Sequence, residues 1–258
     1  MSTALTIGEQ LRDWRQRRRL SQLDLALEVE MSTRHLSFVE TGRAQPSRDM
    51  VLKLAAELDV PLRERNAMLL AAGFAPVFAD RPLDDPSLAQ ARAAMDTLLA
   101  AHDPFPALAV DRHWTLVSAN RSGMALLEGV AAHLLKPPVN VLRVSLHPEG
   151  AASRIANLAE WKAHLLHRLR KQFEASADPA LLDLLEELRL YPGPPAEKPD
   201  PSAIAVPLVV SSPRGTMSFL STTLLFGSPL DVTLSELAIE LFLPADAATV
   251  ERLRAARG

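Results

Sequence analysis

Between Leu20 and Ser47 the chain carries helix-start and helix-stop signals at such short intervals that only a compact set of short helices can be built from it. Ser21 is placed to cap a helix opening at Gln22 by accepting a hydrogen bond from a free backbone N–H, and Leu23, Leu25, Ala26 and Val29 supply that helix's inner surface. Glu30-Met31-Ser32 reads as a turn. Ser32 or Thr33 opens another helix through about Glu40, with Leu36 and Val39 inward and Thr33, Arg34, Ser37 and Phe38 pointing elsewhere. Thr41-Gly42 stops it, because glycine tolerates the left-handed conformation at a helix C-terminus. Upstream, Ile7, Leu11 and Trp14 recur at i, i+4, i+7 and predict a helix over 7–18. Downstream, Pro46-Ser47 starts a helix whose Met50, Leu54 and Leu58 close the core, and Pro61 separates a fifth over 62–72, ended by Gly73. Five short helices in residues 1–75 make a small all-α bundle.

Ser21-Gln22, Leu25-Ala26, Ser32, Leu36, Glu40-x-Gly42 and Pro46-Ser47 stand at the spacing of the Cro/C1-type, or XRE-type, helix-turn-helix family, which residues 6–72 resemble. Glu30 departs from the pattern, occupying a turn position where a glycine or other small residue is common. The resemblance implies binding to double-stranded DNA, with a recognition helix in the major groove. Thr33, Arg34, Ser37 and Phe38 are then the candidate base readers: Arg34 could take guanine O6 and N7, and Phe38 could pack on a thymine methyl. Gln22, Ser32, His35, Arg43 and Ser47 are placed for phosphates. For each the bland alternative is a solvated surface residue. The run Arg15, Arg17, Arg18, Arg19 is ambiguous, since cations at a helix C-terminus favour the macrodipole on their own.

Charge adds little to that reading. Residues 1–75 hold 11 Lys and Arg against 10 Asp and Glu, a net of +1, and the remainder carries −4 of the total −3. Such a domain leans on dimerisation and direct readout more than on bulk electrostatics. With no cysteine, a disulfide framework, a thiol nucleophile and a thiolate metal site are excluded. No leader pattern and no uncharged apolar run near the ~20 residues that span a bilayer is present, so a soluble cytoplasmic protein with no membrane partner is expected.

Residues 76–86, with three prolines and three aspartates, read as a linker to a second domain over 87–258. Ser87 is expected to cap a helix to about His102. Ala107–Val110 and Trp114–Ala119 read as strands flanking an Asp111-Arg112-His113 turn, and Asn120 precedes a short helix over 121–127. Helices over 151–175 and 179–190 follow, then a Pro-rich loop and strands over 204–211, 217–226 and 237–243, with Pro207 placing its strand at a sheet edge. Five strands with helices on one side give an α+β layout. Leu108, Val110, Leu116, Met217, Phe219 and Leu241 would form the sheet's inner face, against Trp161, Leu165 and Leu169 of the long helix.

The strand, turn, strand, Asn, helix order resembles the opening of a PAS-type sensor. Together with Asn140-Val141-Leu142-Arg143 before His147-Pro148, Trp161, the Asp178-Pro179 break and the end at Leu243-Pro244, the second part resembles the PAS-like ligand-binding domain of MmyB-like transcription regulators. That resemblance implies a small apolar or acyl, fatty-acid-like ligand. Ser145 stands where the family often has an aromatic, so the pocket's shape is its own. Asn120, Arg143 and His147 are the candidate polar anchors, and Trp161, Leu165 and Phe219 the candidate apolar contacts. Glu160, His164 and His167 share a helix face that could hold a metal, but Lys171 continues the stripe and a solvated flank is expected, with no metal and no cofactor. Neither a phosphate loop, a nucleophile elbow nor a His-Glu-x-x-His is present, so no enzyme is expected.

The expected whole is a multidomain regulator: an all-α five-helix helix-turn-helix domain and an α+β PAS-like domain. It would bind a near-palindromic operator as a homodimer, most simply as a repressor. An antitoxin-like or scaffold protein with a protein partner, and a ligand-independent dimeric regulator, are the alternatives.

Overall fold

Thr6, Ser21, Ser32 and Ser47 each accept a hydrogen bond from a backbone N–H three residues on, and each opens a helix. In the computed structural model, which describes residues 5–194, 205–213 and 215–255, these are α1 Ile7–Arg17, α2 Gln22–Glu28, α3 Thr33–Glu40 and α4 Arg48–Glu57, followed by α5 Leu62–Ala71. Their ends obey the same local logic. Glu30, in the turn between α2 and α3, takes φ +55°, the left-handed strain that its misfit to the family pattern implied. Gly42 and Gly73 close α3 and α5 at positive φ.

The interior is filled by Leu11, Leu25, Leu36, Leu54, Leu58, Met68 and Leu69, all fully buried. Val51 rather than Met50 is the buried residue at the start of α4, and Met50 is half-buried, a shift of one position around the helix. Gly8 was missed. A Cβ there would lie 2.6 Å from the carbonyl oxygens of Val39 and Glu40, so α1 rests directly on the end of α3. Beside that contact, Arg15 donates two hydrogen bonds to the Glu40 carboxylate at 2.7 and 2.9 Å, and both side chains are buried.

The chain divides into two compact units, and the first consists of residues 1–81 together with 174–176 and 229–235. Within it a single-turn helix, α11 (Val232–Ser235), follows Asp231. The Val232 N–H donates to the Ala79 carbonyl at 2.8 Å, and Arg81 pairs with Asp231 at 2.8 Å.

The second unit is built on an antiparallel sheet of β1 Ala107–Val110, β2 Leu116–Ala119, β3 Leu208–Ser212, β4 Gly215–Leu225 and β5 Ala238–Pro244, in the order β2-β1-β5-β4-β3. Its helices are α6 Ala89–His102, α7 Arg121–Ala125, α8 Val141–Leu146, α9 Leu158–Ser176 up to residue 173, α10 Pro179–Leu190 and α12 Ala247–Ala255. The α+β class is as expected, but helices cover both faces. Met95 and Leu99 of α6 pack on Ala107, Ala109 and Ile239, while Trp161, Leu165 and Leu169 of α9 pack among Leu108, Val110, Leu208 and Phe242. Leu241, expected with the α9 set, pairs with Ala107 and lies on the α6 side. The even residues of β5, Ala238, Glu240 and Phe242, take the α9 side.

Two further boundaries differ from expectation. Asp85, not Ser87, caps the helix before α6 by accepting the Ser87 N–H, and a short 3₁₀ turn at Pro86–Leu88 intervenes. The helix expected from Ala151 starts at Leu158, because the backbone before it is used by the sheet. Ile155 bridges Val210, the Ala156 N–H donates to Val209 O, and Asn157 donates to Pro207 O while accepting from the Val209 N–H. These contacts cover the open edge of β3, the edge position that Pro207 implied. The expected start of that strand at Ile204 lies outside the described residues.

Candidate nucleic-acid interface and ligand cavity

On α3 the inward stripe of Leu36, Val39 and Glu40 is buried. Arg34 is exposed, and Thr33, Ser37 and Phe38 are half-exposed on the other side. The Arg34 guanidinium lies 5.3 Å and that of Arg43 6.0 Å from the centre of the Phe38 ring, so the ring forms a platform between two cations. Among the described residues the Arg34 guanidinium has no hydrogen-bond partner and lies against the Phe38 ring. Ser32 and Ser47 spend a lone pair on their helix caps, but both hydroxyls are at exposed positions at helix N-termini, where backbone N–H groups also face outward. His35 is half-exposed in the first turn of α3. Gln22 differs from the others, because its side-chain amide donates to Glu40 Oε2 at 2.8 Å. Gln22, Arg15 and Glu40 thus form one polar group that ties α1 and α2 to the end of α3. The Glu40 hydrogen bonds hold the Arg15 guanidinium above its ordinary pKa against the opposing effect of burial. Of the ambiguous arginines, Arg15 is used inside, Arg17 binds Asp13, and Arg18 donates to the Leu58 and Asp59 carbonyls.

In the second unit, α9 does not close fully on the sheet. Between them lies a cavity of about 90 Å³ whose walls include Leu108, Trp114, Leu116, Val141, Trp161 and Phe242. Trp161 and Leu165 are on its wall, as the sequence suggested, and so is Ser145, whose Oγ accepts from Trp161 Nε1 at 3.0 Å and fixes that ring. Phe219 belongs to the surrounding core but not to the cavity wall.

The three expected anchors sit elsewhere. Asn120 is buried and caps α7, bonding the Gly123 and Ala107 N–H groups and the Leu99 and Phe105 carbonyls. Arg143 is held bidentately by Glu187, to which Tyr191 also donates; burial and that carboxylate push the Tyr191 hydroxyl up to about 12. His147 ends α8, accepts the Glu149 N–H, and lies edge-on to Tyr191 and His133. His133, His147 and Glu149 bring one ligand atom each within 4.8 Å of one another.

The charged groups on the cavity wall are Arg154, Arg168 and Glu240, none of them singled out by the sequence. Arg168 donates to both Glu240 oxygens at 2.8 and 3.0 Å and to Thr223 Oγ1, and its guanidinium lies 4.9 Å from the Trp114 ring centre. Glu240 is 3% exposed, and that pair is internally neutralised. Arg154 has no such partner among the described residues and donates through Nη2 to the Leu126 carbonyl at 2.8 Å. His164, expected on a solvated flank, instead stacks on Trp161 with Nε2 buried and without a hydrogen bond among the described residues. Its pKa is lowered by burial, then by Arg168 and His167. Only Glu160, His167 and Lys171 of that stripe are exposed. Spacing could not find Arg154, since it precedes α9 in a segment whose strand-like bonding is long-range.

An exposed reading helix in one unit and an apolar cavity in the other are the parts of a ligand-responsive regulator. The ligand-binding domain of MmyB-like transcription regulators, as a family model, matches residues 91–256, and a helix-turn-helix model matches residues 11–65. The chain belongs to the MmyB-like transcription regulators. No curated protein sequence matches it. In this MmyB-like chain the matched ligand-binding region contains the whole cavity wall, and the matched helix-turn-helix contains all nine candidate DNA contacts. Among the described residues no helix is long and apolar enough to cross a membrane.

Proposed function

We propose that this DNA-binding regulator is a repressor that occupies a near-palindromic operator as a homodimer and is controlled by a small acyl ligand in the second unit. The cavity carries the reading. Its wall is mostly apolar and includes two tryptophans, with Arg154 and Arg168 among its lining residues, which suits an acyl chain with a polar end. The ligand acts through its different affinity for the dimer in its operator-matched and operator-mismatched arrangements, since no other quantity can shift that equilibrium. Two recognition helices must meet successive major grooves about 34 Å apart, so a modest change in their separation suffices. The second unit binds its ligand without transforming it.

The test is extraction of the purified full chain with organic solvent and mass spectrometry of the extract, with an Ala119→Leu variant that fills the cavity as control. A discrete acyl species released by the parent and missing from the variant is expected. An extract without one, combined with no binding of added decanoate, overturns the ligand reading. For the DNA half, Arg34→Ala should weaken binding to the preferred operator by about 1–3 kcal/mol and relax sequence choice at one base pair. Undiminished discrimination in a competition assay would remove Arg34 as a base reader.

A further inference from the structure

His147 closes α8 at a tightly packed turn. The Ala151 N–H donates to the Val144 carbonyl and the Gly150 N–H to that of His147, both at 2.8 Å, and a Cβ on Gly150 would collide with the Val144 carbonyl. A short 3₁₀ turn at Ala132–Leu135 is tied to the same stretch, because the Ala131 N–H donates to the Glu149 carbonyl at 2.9 Å. Three side chains converge from these two turns. His133, His147 and Glu149 each bring one ligand atom within 4.8 Å of the others, the two imidazole rings stand edge to face with centres 5.6 Å apart, and His133 Nε2 is 3.8 Å from Glu149 Oε2. That last distance is too long for a hydrogen bond, and among the described residues neither ring nitrogen of His133 makes one. The backbone of the cluster is fixed, while the gap between its donor atoms is open.

We propose that His133, His147 and Glu149 bind one divalent transition-metal ion of the zinc class, with water in the fourth position. Zinc takes imidazole nitrogen at about 2.0–2.1 Å and carboxylate oxygen at about 2.0–2.2 Å in a tetrahedron, so neighbouring donors belong about 3.3 Å apart and two imidazole centres roughly 5 Å apart. The spacings of 3.8 and 5.6 Å exceed these by about half an ångström, which rotation of the exposed His133 and Glu149 side chains supplies without moving either turn. Two nitrogens and one carboxylate select zinc and its neighbours over magnesium and calcium, which want oxygen throughout. Binding has one internal cost. His147 Nδ1 accepts the Glu149 N–H at 3.1 Å, and a neutral imidazole has a single in-plane lone pair, so that bond is given up when the lone pair goes to the ion. Glu149 is exposed, and water takes over its N–H. The alternative, an exposed His133–Glu149 ion pair, contributes little and leaves His147 without a part. The Glu160, His164 and His167 face of α9 lacks this convergence, because His164 is stacked on Trp161. None of the three proposed ligands lines the apolar cavity, so the assignment does not depend on the acyl-ligand reading.

ZnCl₂ is titrated calorimetrically into the tag-free, chelator-treated full chain, and CoCl₂ into a second sample with visible absorption as readout. One ion per chain is expected, with the intense absorption of four-coordinate Co²⁺, and an excess of Mg²⁺ should leave both titrations unchanged. His133→Ala and Glu149→Ala, at exposed positions, should each weaken zinc binding by more than the roughly tenfold that loss of an outer-shell partner costs. His147→Gln should do the same. His167→Gln, exposed on α9, should keep the parent's affinity. Urea midpoints measured without metal should be equal for the parent and the two exposed-site variants, which shows that a loss of binding is not a loss of fold. Absence of saturable zinc binding by the parent overturns the site, and so does binding that survives both His133→Ala and Glu149→Ala. Displacement of the ion by Mg²⁺ overturns the metal class, and loss of binding in His167→Gln alone overturns the assignment by moving the ion to α9.

Discussion

The helical unit is filled to the point where only a glycine fits between α1 and α3, whereas the sheet unit leaves an apolar void beside its two tryptophans. The same kinds of residue, mostly Leu and Val, line both interiors. Composition therefore does not decide which core is solid. Polar anchoring does: Arg15, Gln22 and Glu40 draw three short helices onto one point, while Arg168 and Glu240 span α9 and β5 at one edge of the void. A unit that must present α3 in one geometry gains from the first arrangement, and a unit that must respond to a guest needs the second.

That contrast can be broken most strongly at Glu40. Glu40→Ala leaves the buried Arg15 charge uncompensated and should cost about 3–5 kcal/mol in urea denaturation. An Arg15→Met, Glu40→Leu pair should recover most of the loss, because apolar packing replaces a buried ion pair well. Absence of recovery would mean that the pair acts through Gln22 and the placement of α2. Adding atoms to each interior is the next test. Ala26→Leu, at 1% exposure, should destabilise by about 1–3 kcal/mol. Ala119→Leu, on the cavity wall, should instead stabilise by about 0.5–2 kcal/mol while abolishing decanoate binding. Like signs for the two would show that the void closes in solution.

The smallest effect is on pH dependence. His164 and His102 both have pKa values lowered, chiefly by burial, from the ordinary 6.5. Below that value the unfolded chain binds protons that the folded chain refuses, so their contribution is full above about 6.5 and is lost as pH falls toward their folded pKa values. A His102→Gln, His164→Gln variant should flatten the stability profile in that window, and an unchanged slope would assign it to other groups.

What the sequence revealed follows the range of the interactions. α2, α3 and α4 announce themselves through caps, turns and a glycine within a few residues and α1 through its apolar spacing, whereas Asn120 was read as an anchor and is the cap of α7. Alternation in β5 showed which residues share a face but could not say which face meets α9, because both sides of the strand are covered and Glu240 stands among the cavity residues. The start of α9 was displaced by pairing between residues some fifty positions apart, and the side-chain amide of Gln22 was turned from a surface role by Glu40. Asn120, Arg143 and His147 had the right chemistry for anchors, yet each is engaged by neighbours away from the cavity. Arg154 reaches the wall only through the fold.

The placement of residues 229–235 bears on how such regulators can be recombined. This stretch joins β4 to β5 in the chain yet belongs to the helical unit, where Val232 is fully buried. The boundary is therefore not a single point in the gene. A chimera that keeps residues 1–81 and takes everything after them from another regulator also imports a foreign plug for the socket at Ala79–Arg81. Grafts that carry the native 174–176 and 229–235 stretches should inherit an intact reading unit, so that unit is defined by three sequence segments rather than by one cut.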